Sequence, residues 1–323
     1  MDNEITPQEA SEIIKNIRSE IERVFIGQQT LVTNTLVTLI AGGHILVEGV
    51  PGLGKTLLVR SIAAALTAKE RRVQFTPDLM PSDITGNIML DASGGKFITK
   101  KGPVFTNILI ADELNRAPAK TQAALFEAMQ EYQVSLDGES HALPRPFMVL
   151  ATENPFEHEG TYPLPDAQKD RFLMKVIVDY PSIEEEKTMA QIVLQNGGGK
   201  ELSVSGVRAV TTPERFEAVQ RLAGMCKIDE SIIDYTVRIT AATRGTPALQ
   251  SGAGPRGSLS LLRAGRARAL MQERDFVIPD DIKTLAVPAL AHRLTLSAES
   301  ELEGITEKSI VEKILNETPA PRE

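Results

Sequence analysis

Short apolar runs recur through the first half of the chain, and between them apolar residues are spaced three or four positions apart. The runs lie at 44–48, 73–76, 107–111, 147–151 and 173–178. Runs of this length are typical of buried strands, and the spacing between them is typical of amphipathic helices. Strands that alternate with helices form a parallel sheet covered by helices. The pattern predicts an α/β sandwich with a five-stranded parallel sheet over residues 1–182.

Two helices and two hairpins complete this first domain. Residues 7–24 have helical periodicity behind Thr6, a suitable N-cap, and a second helix is predicted at about 29–41. Hairpins are predicted at 86–104, turning at Gly94-Gly95, and at 133–146, turning at Asp137-Gly138.

Residues 183–323 lack a continuous strand pattern. A Gly- and Ser-rich connector at 196–206 precedes predicted helices at about 213–225, 229–243, 258–273, 279–291 and 306–315. This half is therefore predicted to be a helical connector followed by an all-α lid domain. Three of its arginines, Arg263, Arg266 and Arg268, are interpreted as a solvated helix face.

Composition narrows the functional classes. The chain has 323 residues, 42% of them hydrophobic and 24% charged, which is ordinary for a globular protein of about two domains. Its net charge of −8 disfavours nonspecific nucleic-acid binding as the main task. We expect a cytoplasmic protein, because no apolar run has membrane-spanning length and the first residues do not resemble a signal peptide. The single cysteine, Cys226, permits no internal disulfide and is interpreted as a buried apolar residue.

The candidate chemistry begins with residues 49–56, GVPGLGKT, between a predicted strand and a predicted helix. This segment matches the phosphate-loop pattern, in which backbone N–H groups surround a polyphosphate, Lys55 contacts its β and γ oxygens, and Thr56 ligates Mg²⁺. The helix N-terminus adds a positive dipole. ATP and Mg²⁺ are therefore the predicted ligands. The nucleotide-binding residues predicted here are Gly49, Pro51, Gly52, Leu53, Gly54, Lys55, Thr56 and Leu57.

Two later strands end in polar residues that suit hydrolysis. The strand at 107–111 leads into Asp112 and Glu113, predicted to hold Mg²⁺ and to activate water as a general base, respectively. The strand at 147–151 leads into Asn154, which either contacts the γ-phosphate or its water, or is a turn residue before Pro155.

Two further segments have weaker signals. Ile26 and Gly27 precede the first strand, where they either form an adenine pocket or serve helix packing. Arg256, in GAGPRGS, enters a helix after a glycine-rich turn, where it could be aimed at the nucleotide.

Five segments, taken in order, resemble motifs of the AAA+ ATPases, and more closely those of the MoxR family: GVPGLGKT, ILIADE, ATENP, LPDAQKDRF and GPRGS. The resemblance covers nearly the whole chain, and its most specific stretches are QFTPDLMPSDITG and DELNRAPAKTQAALFEAMQE. It implies that Asn154 is the first sensor, Arg171 the arginine finger and Arg256 the second sensor, acting either in cis or in trans. Lys169 stands where many relatives have an apolar residue.

The resemblance also implies a hexameric ring that binds ATP between one copy's phosphate loop and the next copy's Arg171. Protein clients, and a von Willebrand factor A domain protein as partner, are further implications. The expected function is ATP-driven, chaperone-like remodelling or maturation of partner proteins. The alternative is a nucleic-acid motor like the MCM helicases. The hairpin tips argue against it, because their only candidate cations are Lys96, Lys100 and Lys101 and no aromatic residue beyond Phe97 is available for stacking. A poorly hydrolysing binding module and a small-molecule kinase fit the sequence less well.

Overall fold

A computed structural model describes residues 5–50, 52–91, 96–154, 161–195 and 204–321. The strands are β1 (Ile45–Glu48), β2 (Glu70–Gln74), β3 (Gly86–Asp91), β4 (Lys96–Lys101), β5 (Ile108–Asp112), β6 (Gln133–Leu136), β7 (Glu139–Ala142), β8 (Met148–Glu153), β9 (Met174–Ile177), β10 (Leu249–Ser251) and β11 (Thr295–Leu296). The helices are α1 (Pro7–Glu22), α2 (Gln29–Ile40), α3 (Lys55–Ala65), α4 (Pro81–Thr85), α5 (Ala119–Glu131), α6 (Asp166–Lys169), α7 (Ile183–Gln195), α8 (Pro213–Met225), α9 (Glu230–Arg244), α10 (Pro255–Met271), α11 (Pro279–Leu290), α12 (Ala298–Leu302) and α13 (Glu307–Glu317).

The central sheet confirms the predicted fold class. Five parallel strands lie in the order β2-β5-β8-β1-β9. Strand β1 lies inside the sheet between β8 and β9, and its first three side chains are buried, as expected of an apolar strand that is covered on both faces. Because the strands are parallel, the residues that follow β1, β5 and β8 meet at one edge of the sheet.

Strand β2 differs from its prediction. We expected it at 73–76, whereas it runs from Glu70 to Gln74. Since β2 is at the edge of the sheet, only Val73 among its residues is buried, and its charged residues gave no apolar signal. The outward-facing part of this strand includes Arg72, which becomes important below.

Both predicted hairpins are present. In the first, β3 and β4 pair so that Met89 lies opposite Ile98, and both side chains are about half exposed. Its predicted turn, Gly94-Gly95, lies outside the described residues. In the second, Asp137 and Gly138 have φ values of 51° and 82°, as a two-residue turn between paired strands requires.

The hydrophobic core continues across residue 182. One apolar cluster includes Ile17 of α1, Leu58 of α3 and Leu261 of α10, which come from both halves of the chain. The Ser11 hydroxyl in α1 also donates to the Leu270 carbonyl of α10 at 2.8 Å. The division into domains at 182 stays a prediction, and the two halves share one core cluster.

The C-terminal half contains the five predicted helices, with Cys226 buried at the end of α8. It also contains the antiparallel pair β10 and β11, which the all-α prediction missed because these strands are only three and two residues long. The interpretation of the α10 arginines as solvated holds for Arg263, which is exposed. It was wrong for Arg266 and Arg268, which are partly buried: the Nε atom of each is buried, and Arg268 lies 3.4 Å from the buried Asp281. Among the described helices, none is both long and apolar enough to cross a bilayer.

Candidate active site

A cleft of about 940 Å³ lies where β1, β5 and β8 end, and we call it the first cleft. Its volume is within the range of small-molecule sites. Ten residues predicted from the sequence line it: Gly49, Gly52, Leu53, Gly54, Lys55, Thr56, Leu57, Asp112, Glu113 and Asn154. Sequence reasoning assigned no role to the other described residues that line it: Arg60, Arg72, Gln74, Thr152, Glu153, Val193 and Val204.

The phosphate loop has the backbone that its glycines predict. Gly52 and Gly54 have φ values of 87° and 74°, which are accessible to glycine and strained for other residues. A Cβ on Gly52 would meet no atom within 4 Å, so the loop faces open space. The Lys55 ammonium donates to the Gly49 carbonyl at 2.7 Å. Burial lowers the pKa of Lys55, while the carboxylates of Asp112, Glu113 and Glu48 raise it.

The acidic pair is held by Thr152 from the neighbouring strand β8. The Thr152 hydroxyl donates to Asp112 Oδ1 at 2.9 Å and accepts from the Glu113 backbone N–H at 2.9 Å. Glu113 has φ 54° and ψ 49°, a left-handed conformation that is uncommon outside glycine and clusters at functional sites. The side chains of Asp112 and Glu113 thus leave β5 from a fixed, strained turn.

Each of the two acids has an arginine partner. Arg72 on the edge strand β2 contacts Asp112 Oδ2 at 2.7 Å, and its guanidinium also reaches Gln74 at 3.3 Å. Arg116 contacts Glu113 Oε2 at 2.9 Å. Arg72 therefore occupies one oxygen of the carboxylate that we predicted to hold Mg²⁺.

Asn154 and Glu153 follow each other at the end of β8. Asn154 is buried, and its position places it in the first cleft beside the acidic pair. Burial raises the pKa of Glu153; Lys175 opposes this shift and Glu48 reinforces it. The cleft thus contains a carboxylate whose charged form is disfavoured.

Arg171 and Arg256 line a separate cleft of about 300 Å³, which we call the second cleft. The two clefts share none of their described lining residues. The Arg171 guanidinium stacks 5.4 Å from the Phe126 ring centroid, and its buried Nε has no hydrogen-bond partner among the described residues. Burial lowers the pKa of Arg171, and the neighbouring Arg256 lowers it further. Arg256 itself lies 3.3 Å from Asp170.

The two clefts lie at opposite ends of β1. His44, immediately before β1, lines the second cleft, and Gly49, immediately after β1, lines the first. A strand rises about 3.3 Å per residue, so these five steps separate the clefts by about 16 Å. Neither Arg171 nor Arg256 is brought to the first cleft of its own chain. Arg256 was expected to be aimed at the nucleotide, and within one chain it instead pairs with Asp170.

Comparisons with known proteins agree with this architecture. Residues 44–174 match the model of the ATPase family associated with various cellular activities (AAA), and residues 241–314 match the AAA lid domain. The chain is 40% identical to the chaperone MoxR1 of Mycobacterium tuberculosis, over 94% of this chain and 81% of that protein. The chain belongs to the MoxR family of AAA+ ATPases.

Two further relatives of this MoxR-family chain cover almost its whole length. It is 44% identical to YeaC of Bacillus subtilis, an uncharacterized protein, over 93% of this chain and 92% of that one. A crystal structure from Cytophaga hutchinsonii, described as that of a candidate ATPase, has a TM-score of 0.90 and 39% identity, and covers 98% of this chain and 97% of its own.

Three nucleotide-site predictions for the MoxR-family chain are not represented in the first cleft. Pro51 lies outside the described residues. Ile26 and Gly27 are absent from the described lining, because Gly27 packs against the Glu185 side chain at the start of α7. Their adenine role stays a prediction. His44, which lines the second cleft, is held on both ring nitrogens: Nε2 contacts the Met129 carbonyl at 3.0 Å and Nδ1 accepts from the backbone N–H of Val149. Burial lowers its pKa to about 4.

Proposed function

We propose that this chain hydrolyses ATP with Mg²⁺ at a contact between two copies. The first cleft of one copy supplies the phosphate loop, the metal ligands and the base. The second cleft of the next copy supplies Arg171 and Arg256. The observation that carries this proposal is that both arginines line the second cleft, which lies at the opposite end of β1 from the phosphate loop of their own chain.

The residues of the first cleft fit a nucleotide triphosphate and its metal. The phosphate loop, with its left-handed glycines and the N-terminus of α3, suits a polyphosphate. Thr56 and Asp112 offer the oxygen ligands that Mg²⁺ prefers, once Asp112 is released from Arg72. The metal would supply neutralisation of charge on the β and γ oxygens.

The chain's own groups account for the remaining tasks. Lys55 binds phosphate oxygens, and Glu113 Oε2 accepts a proton from the attacking water when it separates from Arg116. Thr152 keeps the backbone of Glu113 in place during this exchange. Asn154 orients the water or the γ-phosphate from the end of β8.

The second cleft fits the opposite side of the same triphosphate. Burial and the neighbouring Arg256 lower the pKa of Arg171, and Arg171 Nε is buried without a hydrogen-bond partner among the described residues. An anion brought between the two guanidinium groups would favour the charged form of Arg171 and could accept a hydrogen bond from its Nε. An arginine supplied in this way to a transferring phosphoryl group raises rates by about 10³–10⁵ in other NTPases.

We also propose that hydrolysis drives chaperone-like remodelling or maturation of protein partners by a hexameric ring. MoxR1, the Mycobacterium tuberculosis relative, is called a chaperone. The first hairpin supports a protein partner, because Met89 and Ile98 form an exposed apolar pair on one face and Lys101 is engaged with the Phe105 ring at 4.9 Å. A von Willebrand factor A domain protein is the partner class that family membership suggests. A nucleic-acid motor is kept only as the alternative, because the described residues of the first hairpin provide no feature that favours it.

Mixing two inactive variants tests the shared site. We expect Lys55→Ala and Arg171→Ala each to lose hydrolysis, and their equimolar mixture to recover up to about a quarter of the wild-type rate when copies assort at random in a head-to-tail ring. In that mixture, some intact phosphate loops meet an intact arginine.

The matched control mixes Lys55→Ala with Glu113→Gln. Both defects lie in the first cleft, so this pair should recover nothing. Equal behaviour of the two mixtures would contradict a site divided between copies.

A further inference from the structure

Arg293 is a buried arginine at the contact between the C-terminal helices and the segment that carries Arg171. Its side chain is 2% exposed. Nε donates to Asp170 Oδ1 at 2.8 Å, and Nη2 donates to the Phe172 carbonyl at 2.7 Å. A third bond runs from Nη2 to the Asp170 carbonyl at 3.2 Å. One guanidinium therefore holds both residues that flank Arg171.

The same guanidinium is anchored in the lid. Nη2 also donates to the Ser260 hydroxyl of α10 at 3.0 Å, and Nη1 donates to the Ala289 carbonyl of α11. A planar guanidinium with five donors suits this task, since its bonds leave in fixed directions. Arg293 is thus a rigid cross-link from α10 and α11 to residues 170–172.

Two further lid residues hold the same segment. Arg256 Nη1 contacts Asp170 Oδ2 at 3.3 Å, so both carboxylate oxygens of Asp170 face lid arginines. The Thr295 hydroxyl donates to Asp166 Oδ2 at the start of α6, at 3.0 Å. Residues 166–172 are therefore attached to the lid at both ends.

Arg293 is the buried cation that neutralises Asp170. His292 is buried beside it, and burial lowers the pKa of His292 well below its ordinary value, with Arg293 lowering it further. The imidazole is therefore neutral. Burial also lowers the pKa of Arg293, and Asp170 raises it; an arginine stays protonated through such shifts.

We propose that Arg293 is a positioning residue for the arginine finger: its bonds to Asp170 and Phe172 set the backbone from which Arg171 reaches the neighbouring copy's phosphates. This inference rests on the proposed shared site. It assigns a role to a residue that lies outside both clefts and 122 positions from Arg171 in sequence. It predicts that Arg293 matters for the copy that donates the finger and not for the copy that binds the nucleotide.

A merely structural role predicts something different. Removing one partner of a buried charge pair destabilises a fold, and an unstable copy would fail both as donor of the finger and as nucleotide-binding copy. The test must therefore separate these two functions within one assembly.

Arg293→Met is mixed in turn with Lys55→Ala and with Arg171→Ala. Alone, we expect it to hydrolyse ATP at least tenfold more slowly than the wild type. Lys55→Ala copies retain the finger and should restore activity to the nucleotide sites of Arg293→Met. Arg171→Ala copies lack the finger and should restore none. Equal recovery in both mixtures would overturn the proposal. It would also be overturned if neither mixture recovered activity although Lys55→Ala and Arg171→Ala recover it when mixed with each other.

Arg274→Met is the matched control. Arg274 forms a two-pronged pair with the buried Asp281 inside the lid, at 2.7 Å and 2.8 Å, and does not touch residues 166–172. It should show a loss of thermal stability without the donor-specific defect. Arg293→Lys keeps the charge opposite Asp170 but loses the bonds to Phe172 and Ser260; it should fold and show the same asymmetry in weaker form.

Hydrogen exchange provides a readout that needs no mixing. Amides of residues 166–173 should exchange at least tenfold faster in Arg293→Met or Arg293→Lys than in Arg274→Met, with α13 unchanged. Faster exchange throughout the lid would show a general structural role and overturn the proposal. If a mixture of Lys55→Ala and Arg171→Ala recovers no hydrolysis, the proposed shared site is contradicted. In that case the hydrogen-exchange result alone decides whether Arg293 holds residues 166–172.

Discussion

The two clefts differ in how their charged groups are matched. In the first, the two acids at the end of β5 already have an arginine each: Asp112 has Arg72 and Glu113 has Arg116. In the second, Arg171 has a buried Nε with no hydrogen-bond partner in the part of the chain that the structure describes, and a second arginine lies nearby. The first cleft must exchange internal partners before it can act, whereas the second cleft contains an arginine Nε that can still donate a hydrogen bond. Under the proposed function, the nucleotide and Mg²⁺ bound in the first cleft replace its internal partners, and the same triphosphate is the anion that the next copy's second cleft receives.

Among single substitutions other than Lys55→Ala and Arg171→Ala, the largest effect should come from the base of the first cleft. Glu113→Gln is expected to lower kcat by about 10²–10⁴, because the amide cannot accept the water's proton. Phosphate release measures this rate. Nucleotide-dependent assembly, followed by size-exclusion chromatography with ATP, should persist, since the phosphate loop is unchanged. Glu127→Gln, at an exposed position of α5, is the control and should keep the wild-type rate. An unaltered rate in Glu113→Gln would remove this residue from the mechanism.

A smaller loss is expected in the second cleft. Arg256→Ala should slow hydrolysis by about 10–10²-fold, the equivalent of one charged hydrogen bond to phosphate. Nucleotide affinity of dilute, unassembled copies should not change, because Arg256 is absent from the described lining of the first cleft. Fluorescence of a bound ATP analogue measures that affinity, with the exposed Arg215→Ala as control. Weaker binding by single copies would instead place Arg256 in cis.

Arg72 tests whether the first cleft must release its internal partner. Arg72→Gln should lower the Mg²⁺ concentration needed for half-saturation by about two- to fivefold, the size of a half-exposed ion pair. A Mg²⁺ titration of the bound fluorescent analogue provides the measurement. Arg60→Gln lines the same cleft but pairs with Glu70, and it should leave the midpoint unchanged. A higher midpoint in Arg72→Gln would mean that Arg72 helps to bind the nucleotide.

The smallest effect concerns pH and Glu153. Because burial raises its pKa in the folded chain, the folded state is less stable as pH rises above the ordinary value of 4.5. Glu153→Gln should therefore unfold a few degrees higher than the wild type at neutral pH. The difference should shrink as pH falls towards 4.5, as measured by thermal unfolding at a series of pH values. A difference that grew on acidification would contradict the stated sign.

The contrast between the clefts also explains what the sequence could predict. The phosphate loop is contiguous at 49–56, and Asp112, Glu113 and Asn154 follow apolar strands, so local patterns identified ten of the seventeen described residues that line the first cleft. Arg72 was missed because it precedes the four residues predicted as a strand, and its contact with Asp112 depends on β2 pairing with β5.

The second cleft was less accessible. Arg171 was identified only through the family resemblance, because nothing local distinguishes an arginine that precedes a strand. Arg293 gave no signal at all, since its partner Asp170 lies 123 positions away and only the packing of α11 against the sheet brings them together. The residue types in a segment predicted the chemistry of that segment, whereas tertiary contacts determined which segments lie together in the fold.

Helix α1 touches both of the helices that begin at the two clefts. It packs on α3, which starts at Lys55, and on α10, whose second residue is Arg256. Close-packed interiors leave little room for independent displacement, so α3 and α10 are mechanically connected through α1. Under the proposed function, the N-terminal helix is the contact by which a movement at the phosphate loop would reach Arg256 of the same copy.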